Sequence, residues 1–421
     1  MTRGELRPLR SRAATRRPDR LDPVLVIVAP GQGAQTPGFL TPWLEDPVFE
    51  DRMHWLSAVA GINLARHGST SDETTIRDTA VAQPLLVASS LVAALQLFPH
   101  PSDAFSAVGA VSGHSVGEFA AAVGAGVITA EQAMVLVRER GRAMADAAAR
   151  TPTSMTAVIG GERTDVLAAL NKHGLTPAND NGPGQIVAAG TVEQLAALAA
   201  DPPERARLRP LSVAGAFHTE HMAPAVATLA RFARSVSVHD PRVGLISNRD
   251  GRVVHDGHDV LARIVSQVAS PVRWDLCLQA MSDLGATGVL EMPPAGTLTG
   301  IAKRGLKGVD TFALTTPDLL DDARAFVARH AVASPLDDSP TWRLLVAPAK
   351  GIFEVTEGLD RDKPLQPEDR VGTVHSLRDE IPVVAPYGGH VVEWLVEDGD
   401  IVTPGQPLVR LHPHSDAGAQ A

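Results

Sequence analysis

The sequence predicts a mixed α/β protein: a large α/β body with a small βαββαβ insertion, followed by an all-β C-terminal domain. Three observations carry this expectation. A small-apolar run from Ala107 ends in Gly113-His114-Ser115-Val116-Gly117, and a helical pattern of Ala and Val follows at once. That succession is the strand, tight turn and helix of a nucleophile elbow. Strand-like and helix-like stretches alternate on either side of it, as in a sheet joined by crossover helices. Beyond residue 342 the pattern becomes short strands punctuated by Gly and Pro, with a visible internal repeat.

Composition narrows the classes. The 421 residues leave room for two or three domains, and 44% hydrophobic with 20% charged content reads as an ordinary soluble globular chain. A formal net charge of −10 argues against general nucleic-acid binding. Cys277 is the only cysteine, which rules out an intramolecular disulfide and suits a reducing, cytoplasmic setting. Its surroundings, WDLCLQAM, read as a helical core stretch rather than a nucleophile's setting. No apolar run approaches the ~18 residues of a membrane span, so no membrane partner is expected. Residues 1–23 carry arginines at 3, 7, 10, 12, 16, 17 and 20 without an apolar segment, and are expected to form a disordered tail.

In chain order, Leu25 to Ala29 reads as a buried strand running into the glycine-rich turn Gly31-Gln32-Gly33-Ala34-Gln35. The turn has neither a Walker lysine nor GxGxxG spacing; it is either a plain strand end or a loop lending a backbone N–H to a site. Val81 to Leu97 is a long helical pattern with Gln83 at its entrance. At the elbow, glycines 113 and 117 remove side chains where backbone and helix pass closely, so the Ser115 hydroxyl projects. Val116 opens the helix, leaving its N–H free to hold a developing oxyanion. Ala130 to Ala149 is helical and carries Arg138, Arg140 and Arg142. Ser154–Ile159, Thr164–His173, Thr176–Ala178, Gln185–Ala189, Val192–Ala200 and Arg207–Val213 then read β, α, β, β, α, β, a ferredoxin-like unit over about 152–213. Ala214 to His218 leads to a helix from about His221, and a last α/β stretch runs through Pro271–Trp274 and Gly288–Met292. Residues 331–342 read as a linker. Val346-Ala-Pro-x-x-Gly351 recurs as Val384-Ala-Pro-x-x-Gly389, and LQPEDRVGTV and VTPGQPLVRL close the two halves. That repeat predicts a pseudo-twofold β sandwich over 343–412, with 413–421 as a tail.

Several motifs in order extend the reading: GQGAQ (31–35), QPLL (83–86), GHSVGE (113–118), ERGRAM (139–144), NDNGPGQIVAAG (179–190), GAFH (215–218), SPVRW (270–274) and LTGIAKR (298–304). Through them the stretch from 24 to 330 resembles the malonyl-CoA:acyl-carrier-protein transacylases, including the acyltransferase domains of fatty-acid and polyketide synthases. The resemblance implies an α/β-hydrolase-like acyltransferase body. It also implies a ping-pong transfer of malonyl from malonyl-CoA to the phosphopantetheine thiol of an acyl-carrier protein. Ser115 is then the nucleophile and His218 the base that a serine needs at neutral pH. The backbone carbonyl of Gln267 orients the imidazole where other enzymes use an acid. The backbone N–H groups of Gln32 and Val116 form the oxyanion hole.

Arg140, 25 residues beyond Ser115, matches the family arginine that clamps the substrate carboxylate. A planar guanidinium donates two hydrogen bonds and stays charged when desolvated. In the domains this stretch resembles, an A-F-H ending goes with malonyl because the ring fills the space of an α-methyl group, so the resemblance implies that role for Phe217; Gln83 is expected to bind substrate. No metal is expected, since His218 and His221 lack an evident third ligand. The stretch His255-Asp256-Gly257-His258-Asp259 reads as an exposed turn, and Asn179 and Asn181 match a family asparagine motif without assigned chemistry. EMPPAGT (291–297) departs from the family's E-V-G-P-G at two glycines, which leaves its loop conformation open. Lys303, Arg304 and Lys307 form a basic patch, either a dock for an acidic carrier-protein helix or a solvated face.

Residues 343–412 resemble the biotinyl and lipoyl hammerhead domains through VAP…G, GTV, AP-x-GG-x-V (385–391), EDGD (397–400) and PGQPL (404–408). This implies a barrel-sandwich hybrid fold. The family's Glu-Ala-Met-Lys-Met hairpin corresponds to His375-Ser376-Leu377-Arg378-Asp379, so Arg378 stands at the attachment lysine. A guanidinium cannot serve as the amine nucleophile. No covalently bound biotin or lipoate is therefore expected, and the domain reads as a docking or dimerising module of unnamed partner. Two other functions stay open at this level. One is an acyl-CoA or acyl-ACP hydrolase, against which Arg140 argues. The other is an idle body acting through its tail, against which the intact Gln32, Ser115, Arg140 and His218 set argues.

Overall fold

In a computed structural model the chain is described at residues 23–331, 343–356, 359, 364–376, 379–385 and 389–413. Most of the expected N-terminal tail, the expected linker from residue 332, Arg378 and residues 414–421 lie outside the described residues. The chain divides after Ser334 into two compact units.

The first unit is built on a six-stranded sheet in the order Asp310–Ala313, Gly288–Glu291, Leu25–Ala29, Ala110–Gly113, Gly244–Ile246, Val253–Val254. All neighbours run parallel except the last pair. Leu25–Ala29 is covered on both sides, which is why it reads as one continuous apolar run. Its register sets Ala29 beside Gly113, so the glycine-rich turn and the elbow leave the sheet side by side at its carboxyl edge. In such sheets that edge is where ligands gather.

Helices pack around this sheet. Thr79–Leu97 starts at Asp78, whose carboxylate accepts the Ala80 N–H, and crosses Ala130–Ala148, which opens with a Thr129/Gln132 capping box. The crossing is close at Gly141, where a Cβ would lie 2.8 Å from the Thr79 carbonyl oxygen. Contrary to the sequence expectation, Thr79–Leu97 is long and apolar enough to cross a membrane. Most of its residues are buried in the body, so core packing accounts for that apolarity.

The inserted segment forms a sheet in the order Ala206–Pro210, Thr153–Gly160, Gln185–Thr191, Thr176–Asp180, Val272–Arg273, with helices Arg163–Lys172 and Val192–Ala200. The first four strands pair antiparallel. The last strand comes from the body and pairs parallel with Thr176–Asp180, closing an edge that would otherwise be open. The expected strand Arg207–Val213 stops at Pro210, and residues 211–213 turn off as a loop.

The second unit holds two sheets. One has Arg343–Val346, Pro407–Pro413 and Gly389–Trp394; the other has Glu380–Val384, Arg370–His375, Gly351–Val355 and Ile401–Val402. The repeat acquires a structural meaning here. Its first copy leads from the three-stranded sheet into the four-stranded one, and its second copy leads back. Leu345, Leu408 and Leu411 from one sheet share a buried cluster with Phe353, Val371 and Val383 from the other.

The elbow's two glycines are fixed by contact. A Cβ on Gly113 would collide with the Gly117 backbone, and one on Gly117 with the Ala29 carbonyl oxygen. Gly117→Ala is expected to cost ~1–3 kcal/mol through overpacking. Gly124, where an added Cβ meets nothing within 4 Å, is the control, and Gly124→Ala should leave stability level or slightly raised. Urea midpoints of the two variants check the difference.

Candidate active site

Ser115 sits two residues past the strand Ala110–Gly113, with φ of 54° in the left-handed region. The fold holds it in this costly conformation, so its side chain leaves the turn instead of entering strand or helix packing. His218, also left-handed at φ 61°, arrives from the loop after Ala206–Pro210 and is buried. Ser115 Oγ lies 2.8 Å from His218 Nε2, and His218 Nδ1 lies 3.0 Å from the backbone oxygen of Gln267. A carbonyl only accepts, so Nδ1 carries the proton and donates it there. Nε2 is left as the acceptor for the Ser115 hydroxyl.

Arg140 projects from Ala130–Ala148 and is 2% exposed. Its Nη1 donates to Gln83 Oε1 at 2.7 Å; its Nη2 donates to Ser115 Oγ at 3.2 Å and to Gln267 Oε1 at 3.4 Å. All three acceptors are neutral. Among the described residues no carboxylate forms an ion pair with this guanidinium. Gln83 is buried, its Nε2 directed at Met144 Sδ at 3.4 Å, so it holds the guanidinium from the side away from Ser115. A cavity of about 70 Å³ is lined by Gln32, Gln83, Ser115, Val116, Arg140, Phe217 and His218, among others. The amides of Gln32 and Val116 donate to no described group. The structure thus gathers every sequence-predicted site residue at one place, Gln267 through both its backbone and its side chain.

Burial sets the electrostatics. It pulls the Arg140 guanidinium down to about 10, with the Glu118 carboxylate partly opposing. His218 is pulled down to about 3, first by burial and then by the Arg140 charge, with the Gln267 carbonyl opposing. Glu118 is pushed up to about 7 by burial, against the Asn248 N–H and Arg140. Burial also raises the Cys277 thiol, which is fully enclosed.

One neighbour, Asn248, escaped the sequence reading, which assigns Asn181 no task. Asn248 Oδ1 accepts the Ser115 N–H at 2.7 Å, and its Nδ2 donates to the Gly113 carbonyl at 2.7 Å. It lies just after the strand Gly244–Ile246, in a stretch whose residues carry no motif. His114 Nε2 meets Asn181 Oδ1 at 2.9 Å, which gives the asparagine motif a task beside the nucleophile. Asn179 lines the cavity. The loop 291–297, whose conformation was open, is organised by the Glu291 carboxylate, which accepts the amides of Gly296, Leu298 and Thr299 at 2.8–2.9 Å. Asp256 of the expected exposed turn caps the helix Gly257–Gln267. Lys303, Arg304 and Lys307 are exposed at the end of the helix Thr297–Gly305 and just beyond it.

Comparison with known proteins places the first unit in a family. The family described as acyl transferase domain matches residues 26–332. The chain is 48% identical over 299 residues to the malonyl CoA-acyl carrier protein transacylase of Mycobacterium tuberculosis, covering 71% of this chain and 99% of that protein. It is 30% identical over 301 residues to the corresponding transacylase of Escherichia coli, covering 70% and 96%. The crystal structure of MCAT from Mycobacterium tuberculosis superposes with a TM-score of 0.69 at 47% identity, over 72% of this chain and 99% of that one. A malonyl-transacylase in complex with a type II PKS acyl-carrier protein superposes with a TM-score of 0.66 at 29% identity, over 72% and 99%.

The depressed basicity of His218 has a kinetic sign. A lowered pKa keeps the imidazole neutral, and able to accept a proton, at every pH above about 3. Acylation of Ser115 by p-nitrophenyl acetate should therefore show no fall centred near 6.5 between pH 8 and 5. A Glu118→Gln background removes a buried carboxyl that burial pushes up to about 7, inside that window. A sigmoidal loss at 6.5 would contradict the assignment.

Proposed function

Because the chain belongs to the acyl transferase family, and within it to the malonyl CoA-acyl carrier protein transacylases, we infer that it moves malonyl from malonyl-CoA to the phosphopantetheine thiol of an acyl-carrier protein. The observation that carries the substrate choice is Arg140, a buried guanidinium 3.2 Å from the Ser115 oxygen with only neutral acceptors around it. A free carboxylate on the acyl group is the counter-ion this site lacks. Acetyl has none to offer.

The steps follow from the hydrogen bonds. Ser115 gives its proton to His218 Nε2 as Oγ attacks the thioester carbonyl carbon. The carbonyl oxygen, now anionic, sits between the amides of Val116 and Gln32. The C–S bond breaks, and His218 returns the proton to the departing CoA thiolate, leaving a malonyl ester on Ser115. The carrier thiol then enters, gives its proton to His218 and takes the acyl group by the reverse steps. The Gln267 carbonyl keeps Nδ1 protonated throughout and steadies the imidazolium while it lasts. Binding the substrate carboxylate also offsets the Arg140 charge that depresses His218, so the cognate acyl group raises the basicity of its own catalyst.

Phe217 is buried at the cavity wall, where a ring in the place of an α-methyl group would favour malonyl over methylmalonyl. Rejecting one methyl group is worth ~1–3 kcal/mol. Lys303, Arg304 and Lys307 offer an acidic carrier helix a cationic landing surface on the same unit.

The finer architecture belongs to the same proposal. The body, 24–330, is α/β-hydrolase-like, and its insertion is ferredoxin-like, supported by the strand order of its first four strands. The second unit is a biotinyl/lipoyl-like barrel-sandwich hybrid, supported by two sheets exchanging the halves of a repeat. With arginine at 378 it carries no prosthetic group covalently and acts as a docking or dimerising module. The single buried cysteine is in keeping with a cytoplasmic setting.

Intact-mass spectrometry after mixing with malonyl-, acetyl- and methylmalonyl-CoA tests the reading. Malonyl should label the wild-type chain once and Ser115→Ala not at all. Arg140→Ala should lose ~100-fold or more in malonyl labelling while acetyl labelling holds, as expected when charged hydrogen bonds vanish. Phe217→Ser should narrow the malonyl preference over methylmalonyl by ~10-fold or more. Equal acetyl and malonyl labelling of the wild type would remove the specificity claim.

A further inference from the structure

We propose that Asn248 is the positioning residue of this elbow, its side-chain amide spanning the turn from the Gly113 carbonyl to the Ser115 amide so that Oγ and the Val116 N–H face the reacting carbonyl together. The proposal rests on Ser115 being the nucleophile.

The turn itself creates the need. A left-handed Ser115 cannot continue the strand's ladder, and its amide precedes the helix that begins at Gly117. Its N–H and the Gly113 C=O are thus backbone groups that neither element satisfies. Asn248 meets both, with a donor and an acceptor two bonds apart, each at 2.7 Å. Its own backbone is equally committed: its N–H donates to Glu118 Oε1 at 2.8 Å, and its carbonyl accepts the Arg273 N–H at 2.8 Å. Glu118 lies in the first turn of the helix that the elbow launches, and its side chain reaches back to the neighbouring strand's end. Strand end, turn, helix start and the adjoining loop are therefore closed into one ring of hydrogen bonds. Asn248 is fully buried and lines no part of the cavity, so it acts through Ser115 and not on substrate.

The side-chain requirement is narrow. Alanine supplies neither arm. An ionised aspartate supplies the acceptor but sets a negative oxygen against the Gly113 carbonyl; a neutral aspartic acid supplies both arms. Asn248→Asp therefore turns the donor arm into a function of pH. The groups facing position 248 are the Glu118 carboxylate and the Cys277 thiol, whose Sγ lies 3.8 Å from Nδ2. Arg140, Arg263 and Asp250 act on Glu118, and Asp275 acts on Cys277. Arg273 contributes a backbone contact. Burial and the Glu118 charge favour the protonated acid, so the donor arm is present at low pH and lost as pH rises.

The test is rapid-quench measurement of Ser115 acylation by malonyl-CoA in wild type, Asn248→Asp and Asn248→Ala, with thermal melts to confirm folding. The expected result is a variant-to-wild-type rate ratio for Asn248→Asp that drops at least ~10-fold between pH 6 and 9. Asn248→Ala should lose ~100-fold or more in the acylation rate constant, with the apparent malonyl-CoA affinity within about twofold of wild type. A merely structural role would move the melting temperature without this pH-dependent ratio. A ratio that stays level with pH, a loss carried by affinity alone, or wild-type acylation of folded Asn248→Ala would overturn the proposal. An unlabelled wild type would overturn the transferase reading alone, and the same comparison with p-nitrophenyl acetate would then decide for or against Asn248.

Discussion

A desolvated positive charge that forms no ion pair among the described residues is the constraint from which the rest of this site follows. Arg140 is enclosed on a helix facing the elbow, held by glutamine and serine oxygens and not by a carboxylate. A buried ion of this kind is expensive, and proteins ordinarily pair it. On the function proposed above, the missing anion arrives with the substrate. Burial, and after it the same charge, suppress the basicity of His218, so the free site holds that imidazole neutral and the Ser115 oxygen hydrogen-bonded from two sides.

The scaffold brings four distant segments to that charge. The parallel pairing of Leu25–Ala29 with Ala110–Gly113 delivers the glycine-rich turn and the elbow to one edge of the sheet. The inserted sheet returns the chain at His218, and the helix Gly257–Gln267 ends at the carbonyl that receives the imidazole proton. The strand Val272–Arg273 ties the insertion's sheet to the body a few residues later. Small residues make the approaches possible, as at Gly117 against Ala29 and Gly141 against Thr79. Bulk added at any of these would move the reacting groups as well as the fold.

Legibility in the sequence followed the range of the forces involved. Leu25–Ala29, a continuous apolar run, and Ala130–Ala148, with a strong helical period, were readable to within a residue because burial patterns are local. Ser115, Arg140 and His218 were readable because their chemistry comes with neighbours in sequence. Asn248 was not, since its importance lies in hydrogen bonds to residues more than a hundred positions away. The body's strand in the inserted sheet was hidden for the same reason: two residues, Val272 and Arg273, have no period to detect. Thr79–Leu97 misled in the opposite direction, its continuous apolarity broken on paper by Gln83, Pro84 and two serines that the core accommodates. In the second unit the repeat was visible because each copy performs the same crossing between sheets, once in each direction.

The most direct examination of the central claim is a crystal structure of the chain carrying malonate esterified to Ser115. The carboxylate should accept both forks of the Arg140 guanidinium at ~2.7–2.9 Å, displacing its contact with Ser115 Oγ, while the ester carbonyl oxygen lies toward the Val116 and Gln32 amides. A carboxylate turned to solvent, with Arg140 still bonded to the serine oxygen as in the free site, would contradict it.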